Sequence, residues 1–259
     1  AYLLLEEKKQ EKKWIWVGLI GILFCFLVLN QTRGAFLGFG TAVIAGLGYV
    51  LTRHPLQRAR RVIAGIAVAL MVLGITGFIF RQSITVIPFC GTGTEGGGSR
   101  ILDFSPSAES FQTRLVLWKQ SIQAFKERPF LGWGPENFSI AFEKYFDPYH
   151  RVWFDRAHNI FFDYLVFAGL AGLLSFIAIF AVLYGQFFRK IANSHYAQKK
   201  KGEIVPETKR IYQDALLFAV PIAYLVQGLV LFDVLPIYIN LFLVLAFMVY
   251  KSKSAKENE

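Results

Sequence analysis

His158 and Asn159 stand where charged sequence gives way to apolar sequence, in DRAHNIFFDYLVFAGLAGLL over residues 155–174. If a helix begins near Asn159, its positive N-terminal end opposes protonation of His158 and leaves a neutral imidazole able to accept a proton. The same end offers free backbone N–H groups to an anion such as phosphate. A histidine at such a boundary also serves simply to anchor a helix, and His150, eight residues earlier, has no evident task. Asp163, one turn beyond Asn159, either orients a partner or lies at the boundary as a solvated charge.

Two arginines have the chemistry to hold an anion nearby. Arg33, in NQTRGAFLGFG, sits in a turn of a few residues between two apolar runs. There it either neutralises the C-terminal end of the preceding helix or holds an anion. Arg114 lies in FSPSAESFQTRLVLWKQSIQAFKERP, which carries helix punctuation: Ser105 or Ser107 as N-cap, Pro106 in the first turn and Pro129 as terminator. Phe111, Leu115, Trp118, Ile122 and Phe125 recur at helical spacing, a stripe suited to a membrane surface or to packing on other helices. Arg114 projects about 60° from the centre of that stripe, and Lys126 lies at a similar angle on its other flank. Angle therefore does not single out Arg114, and both side chains are expected to snorkel. The following RPFLGWGPENF reads as a tight loop, with Trp133 as an interfacial anchor.

The elements that must position these residues are membrane helices. A chain with 54% hydrophobic residues, 26 Phe and only 18% charge is too apolar for a soluble domain. Six runs are long enough as helix to cross or nearly cross the hydrocarbon layer: 14–30, 34–51, 62–80, 160–188, 214–232 and 235–250. The last is short. Lys and Arg are retained in cytoplasmic loops. The segments before span 1, between spans 2 and 3, between spans 4 and 5 and after span 6 hold 18 of the 28. Both termini are therefore expected in the cytoplasm, and the long 81–159 segment on the external face. The expected organisation is 1–80 for a cytoplasmic segment and spans 1 to 3, 81–159 for an external catalytic segment with short helices, and 160–259 for spans 4 to 6 and a cytoplasmic tail.

This asymmetry accounts for the net charge of +10, so the charge calls for the bilayer as partner and not for nucleic acid. The glycine-rich CGTGTEGGGSR reads as a flexible linker, because the Lys and Ser/Thr of a phosphate-binding loop do not follow its glycines. Cys25 lies in a span and Cys90 outside, so neither a disulfide nor a metal-ligand spacing is expected. The chain opens on AYLLL followed by EEKKQEKK, which reads as the end of an earlier span entering a loop, so a longer parent protein is expected.

Taken together, NQTRGAFLG, FQTRLVLWKQSIQAFKERPFLGWGPENF and AHNIFFDYLVFAGLAGLL resemble the O-antigen ligase and Wzy-type polymerase family of bacterial envelope enzymes, over roughly residues 14–190. The resemblance implies a glycosyltransferase with a GT-C-like all-α membrane fold, placed in the bacterial cytoplasmic (inner) membrane and working on the external face. It implies an undecaprenyl-pyrophosphate-linked glycan as donor, a glycolipid, glycan or protein hydroxyl as acceptor, inversion at the anomeric carbon, and neither cofactor nor metal. Carried over by motif, Arg33 and Arg114 clamp the pyrophosphate, Asn159 assists binding, and His158 is the base or orienting group for the acceptor. Phe167 departs from the pattern, standing where many relatives have an acidic residue. The alternatives are a protein O-oligosaccharyltransferase of the same family, or a transporter, which Asp163, Pro221 and Gln227 in or near spans suggest. The lack of an internal repeat and the position of cations at the external motifs favour the enzyme.

Overall fold

The structure, a computed structural model, describes residues 4, 7, 9–30, 32–54, 56–79, 109–149, 152–201 and 208–257. Every regular element among them is helical: α1 Gln10–Asn30, α2 Arg33–Arg53, α3 Gln57–Ile79, α4 Glu109–Glu127, α5 Phe138–Lys144, α6 Ile160–Lys201, α7 Thr208–Gly228 and α8 Leu235–Glu257. Helix covers the six apolar runs except residues 229–232 at the end of the fifth, and Phe80, the last residue of the third, lies outside the described residues. Three helical stretches, Gly34–Arg53, Ile160–Arg189 and Arg210–Gly228, are long and apolar enough to cross a membrane, while Leu235–Tyr250 is apolar but shorter. The described residues are thus all-α and fit an integral membrane protein. The glycine-rich linker, the caps Ser105 and Ser107 with Pro106, Cys90 and His150 all lie outside the described residues.

The chain forms two compact units. The first comprises residues 1–104 and 206–223. Within it α2 packs on α3, and the rings of Tyr49 and Phe218, 5.5 Å apart, join α2 to the middle of α7. Helix α2 ends at His54 because Pro55 follows, and a residue before proline is pushed out of helical geometry. His54 accordingly adopts an extended backbone, and its Nδ1 accepts the Leu56 N–H at 3.3 Å.

The second unit comprises residues 105–205 and 224–259. Its core gathers Leu117 and Ala124 of α4, Trp133, Phe138, Ala141 and Phe142 of the next segment, and Ala157 and Val166 at the head of α6. The apolar stripe expected on α4 is not the face that is buried. Leu117, Gln120, Ser121 and Ala124 are buried, whereas Phe111, Leu115 and Ile122 of the stripe are exposed. The buried polar pair is satisfied, Gln120 donating to the Tyr145 carbonyl at 2.9 Å and Ser121 to the Leu117 carbonyl at 2.8 Å. Trp133 is a core residue and not the interfacial anchor expected. Its indole N–H donates to the Ala124 carbonyl at 2.9 Å, and the Arg128 guanidinium covers its ring at 4.4 Å.

Helix α6 is broken. Gly169 takes φ 62° and ψ −158°, so a piece of nine residues, 160–168, meets a longer helix from Leu170 onward. A break strands carbonyls on one side and amides on the other, and in a membrane no water is present to satisfy them. The Pro129–Gly134 loop does so instead. The N–H groups of Trp133 and Gly134 donate to the Val166 and Phe167 carbonyls at 2.7 and 2.9 Å, and the Pro129 and Phe130 carbonyls accept from Leu170 and Ala171 at 2.8 and 3.3 Å. Two glycines make this fit possible. A Cβ on Gly132, itself at φ 69°, would lie 2.5 Å from the Val166 carbonyl oxygen, and one on Gly169 would lie 2.5 Å from the Phe130 backbone. The PFLGWG loop and the break in α6 are one structure.

Gly132→Ala and Gly169→Ala are therefore each expected to lower the unfolding free energy of the detergent-solubilised protein by at least about 2 kcal/mol, combining left-handed backbone strain with a forced shift of two backbones. A thermal or denaturant midpoint reads this. Gly185→Ala, at a glycine of α6 with open space around it, is expected to be neutral or slightly stabilising, because alanine is the better helix former.

Candidate active site

Asn159 is the N-cap of α6. Its Oδ1 accepts the Phe161 N–H at 2.9 Å and its carbonyl accepts the Asp163 N–H at 3.0 Å, the pattern by which Asn starts a helix. Asp163, in the first turn, reaches back over the start: its Oδ1 accepts the Ala157 N–H at 2.7 Å, and both residues are buried. The Ala157 carbonyl in turn accepts the Trp118 indole N–H at 3.1 Å, and the Trp118 ring stacks on Phe162 at 5.4 Å. Residues on both sides of His158 are thus tied down by α4 and α6. The helix start is less open to an anion than the sequence suggests, because Asn159 and Asp163 already take the Phe161 and Ala157 amides.

His158 itself adopts φ 53°, the left-handed region that a side chain of its size enters only when its surroundings enforce it. Its ring is held between two others, edge-on to Phe154 at 5.7 Å and to Phe232 at 5.0 Å. Phe232 comes from the turn between α7 and α8, where the neighbouring Asp233 accepts the Tyr224 hydroxyl at 2.6 Å. Burial lowers the His158 pKa from its ordinary value, the Arg114 charge lowers it further, and Asp155 opposes the shift. The imidazole is therefore neutral over a wider pH range than in water.

The same observation places Arg114. Seen down α4 at 100° per residue, the centre of the buried face lies roughly 130° from the centre of the Phe111 stripe. Arg114 falls between stripe and buried face and is half-buried, while Lys126 is on the far flank and exposed. The ambiguity between the two cations in the sequence is thereby removed: only Arg114 shares the neighbourhood of His158. A further guanidinium, which the sequence did not single out, lies two residues from the histidine. Arg156 binds both carboxylate oxygens of Glu136 through Nη2, at 2.8 and 2.7 Å, and stands over the Phe167 ring at 5.0 Å. Glu136, at φ 63°, lies two residues beyond the Pro129–Gly134 loop that seals the α6 break, so this pair links the end of that loop to the histidine turn.

Arg33 is the first residue of α2 and belongs to the first compact unit, whereas Arg114, His158 and Asn159 belong to the second. Three of the four residues singled out from sequence therefore share one unit, and of Arg33 the position in the chain is what the structure describes. Asp163, Trp118 and Phe232 were not among those residues. The position of Asp163 one turn into the helix was the only hint of its task.

The family model described as O-Antigen ligase matches residues 18–177. A similar protein, the General O-oligosaccharyltransferase of Acinetobacter baylyi (strain ATCC 33305 / BD413 / ADP1), is 29% identical over 177 residues, which cover 66% of this chain and 29% of that protein. The chain thus spans less than a third of that relative's length. No solved structure matches.

A cation beside an imidazole disfavours the imidazolium, so removing it must raise the pKa. In Arg114→Gln, His158 is expected to titrate at higher pH than in the parent. NMR of the protein labelled in its four histidines, with the His158 signal assigned by its loss in His158→Asn, reads the shift. An unmoved or lowered titration would show that Arg114 does not act on His158.

Proposed function

Since the chain belongs to the O-antigen ligase family, we propose that it is a membrane glycosyltransferase that moves a glycan from an undecaprenyl-pyrophosphate donor to an acceptor hydroxyl on the external face of the bacterial cytoplasmic membrane. The observation that carries this reading is a half-buried His158 in a left-handed turn, held between Phe154 and Phe232, whose pKa burial and the Arg114 charge both lower. In the proposed step the acceptor oxygen attacks the anomeric carbon as its proton passes to the imidazole. The bond from that carbon to the diphosphate breaks, and its electron pair leaves on the phosphate oxygen. Attack opposite the leaving group inverts the anomeric centre. Arg114 and Arg33 form the diphosphate clamp, their guanidiniums stabilising charge that grows as the bond breaks, and Asn159 binds substrate at the head of α6. The arrangement that serves this chemistry has six spans, both termini in the cytoplasm, 81–159 outside as the catalytic segment, and a GT-C-like fold.

The acceptor belongs to an envelope polysaccharide or glycolipid, making the enzyme a ligase or polymerase. The name of the Acinetobacter relative favours a second reading, in which an oligosaccharide is transferred to a hydroxyl of a protein. Both use the same site.

Transfer from a purified lipid-linked donor by the complete protein tests the roles. His158→Asn keeps a polar side chain able to hydrogen-bond but provides no base, and is expected to fold normally while losing at least roughly a hundredfold in rate. Arg33→Lys and Arg114→Lys are expected to impair transfer strongly, because a point charge does not reproduce a bidentate phosphate contact. A folded, fully active His158→Asn protein would remove the base from the mechanism.

The proposed mechanism also runs without metal. Among the described residues no three His, Cys, Asp or Glu side chains gather where they could hold an ion, and the two arginines supply the positive charge. Transfer is therefore expected to persist in excess chelator. Activity abolished by EDTA and restored by Mg²⁺ or Mn²⁺ would require a different account of leaving-group stabilisation.

A further inference from the structure

We infer that the tip of the helix-sealing loop, Phe130 and Leu131, is a membrane wedge: its two side chains insert among lipid acyl chains at the edge of the hydrocarbon layer, in the leaflet nearer Ile160. Both are among the most exposed large apolar residues of the described chain, at 74% and 78%. An exposed Phe-Leu pair on a soluble loop would be a liability, since such a patch seeks a partner. What identifies the partner is the depth at which the backbone holds it.

That depth follows from α6. The stretch Ile160–Arg189 has 30 residues, and at 1.5 Å per residue a straight helix of that length would run about 45 Å, half as long again as the hydrocarbon core. Counting back from Arg189, about 20 residues span the core, which puts its far boundary at Leu170. There the break occurs, and there the loop is bound. The Pro129 and Phe130 carbonyls accept from Leu170 and Ala171, so the tip cannot leave this level without stripping two amides of the span of their partners. Leu170 and Leu174, at the start of the spanning piece, are themselves exposed, so the wedge continues the lipid-facing surface of α6. Lys126 and Arg128 immediately precede the loop, and exposed cations at this point suit the phosphates of the headgroup layer. Trp133 and Gly134, three residues along the same loop, are bonded to the short 160–168 piece that carries Asn159 and Asp163 at its head. The wedge thus sets the height of the His158 turn above the hydrocarbon.

The inference rests on α6 crossing the bilayer and not on the transfer reaction, so it is tested without activity. In the full-length protein with Cys25→Ser and Cys90→Ser, Phe130→Cys and Leu131→Cys are labelled singly with an environment-sensitive fluorophore and reconstituted into vesicles of phosphatidylcholine and phosphatidylglycerol. Leu174→Cys serves as the control for the span. The expected result at both tip positions is blue-shifted emission, loss of emission with nitroxide-bearing acyl chains, and no loss with aqueous iodide. Red-shifted emission quenched by iodide would overturn the wedge, and so would emission insensitive to both quenchers, which would mean that protein covers the tip. If Leu174→Cys is also quenched by iodide, the spanning assignment of α6 fails and takes the wedge with it. If Leu174→Cys meets lipid and the tip meets water, the wedge alone is wrong. Should one tip variant fail to give folded protein, the other decides.

Discussion

Four backbone hydrogen bonds across the Gly169 break govern the second unit. An interrupted helix in an apolar medium is tolerable only if other backbone replaces the missing bonds, since a stranded amide or carbonyl costs about 1–3 kcal/mol even inside a protein. The Pro129–Gly134 loop fits that requirement with amides on one side and carbonyls on the other, as a helix turn would. Its geometry then dictates the rest. Trp133 is drawn under α4, Glu136 is brought to Arg156, and the short 160–168 helix is fixed on the core that also holds Trp118 and Ala157. The histidine turn is built on this platform.

At that turn burial and the Arg114 charge both lower the His158 pKa, and Asp155 opposes them. Asp163 does not neutralise the histidine. Its carboxylate is committed to the Ala157 amide, where it holds the chain in the turn that gives His158 its left-handed backbone. Charge and position are thus set separately, by residues from two helices.

Much of this was legible in the sequence. The apolar runs marked the helices, within a residue or two at half of the twelve ends, and most of the other ends lie further out because polar turns extend a helix beyond its apolar stretch. His-Asn before an apolar run announced the helix start, and Asn159 proved to be its cap. The α4 stripe was legible as a shared face but not in what that face meets, which spacing does not reveal; Leu117 and Ala124 supply the core, Phe111, Leu115 and Ile122 are exposed, and Trp118 stacks on Phe162. Trp133 misled for a related reason: an indole near a membrane boundary can be satisfied by lipid headgroups or by a carbonyl of its own chain. The α6 break was signalled only by the glycines of GWG and AGLAG. A glycine reports that a close approach is possible, and its partner, more than 30 residues away, is known only from the folded chain.

The clamp at Gly169 also has a direction in time. Pro129–Gly134 precedes α6 in the chain, so a ribosome delivers the sealing loop before the helix that needs it. As domains made from the N-terminus are completed in order, the broken helix reaches the bilayer with its missing hydrogen-bond partners already synthesised. Reversing the order would oblige a membrane segment with four stranded peptide groups to wait in lipid. The position of the loop ahead of α6 is therefore a property of assembly as much as of the finished fold.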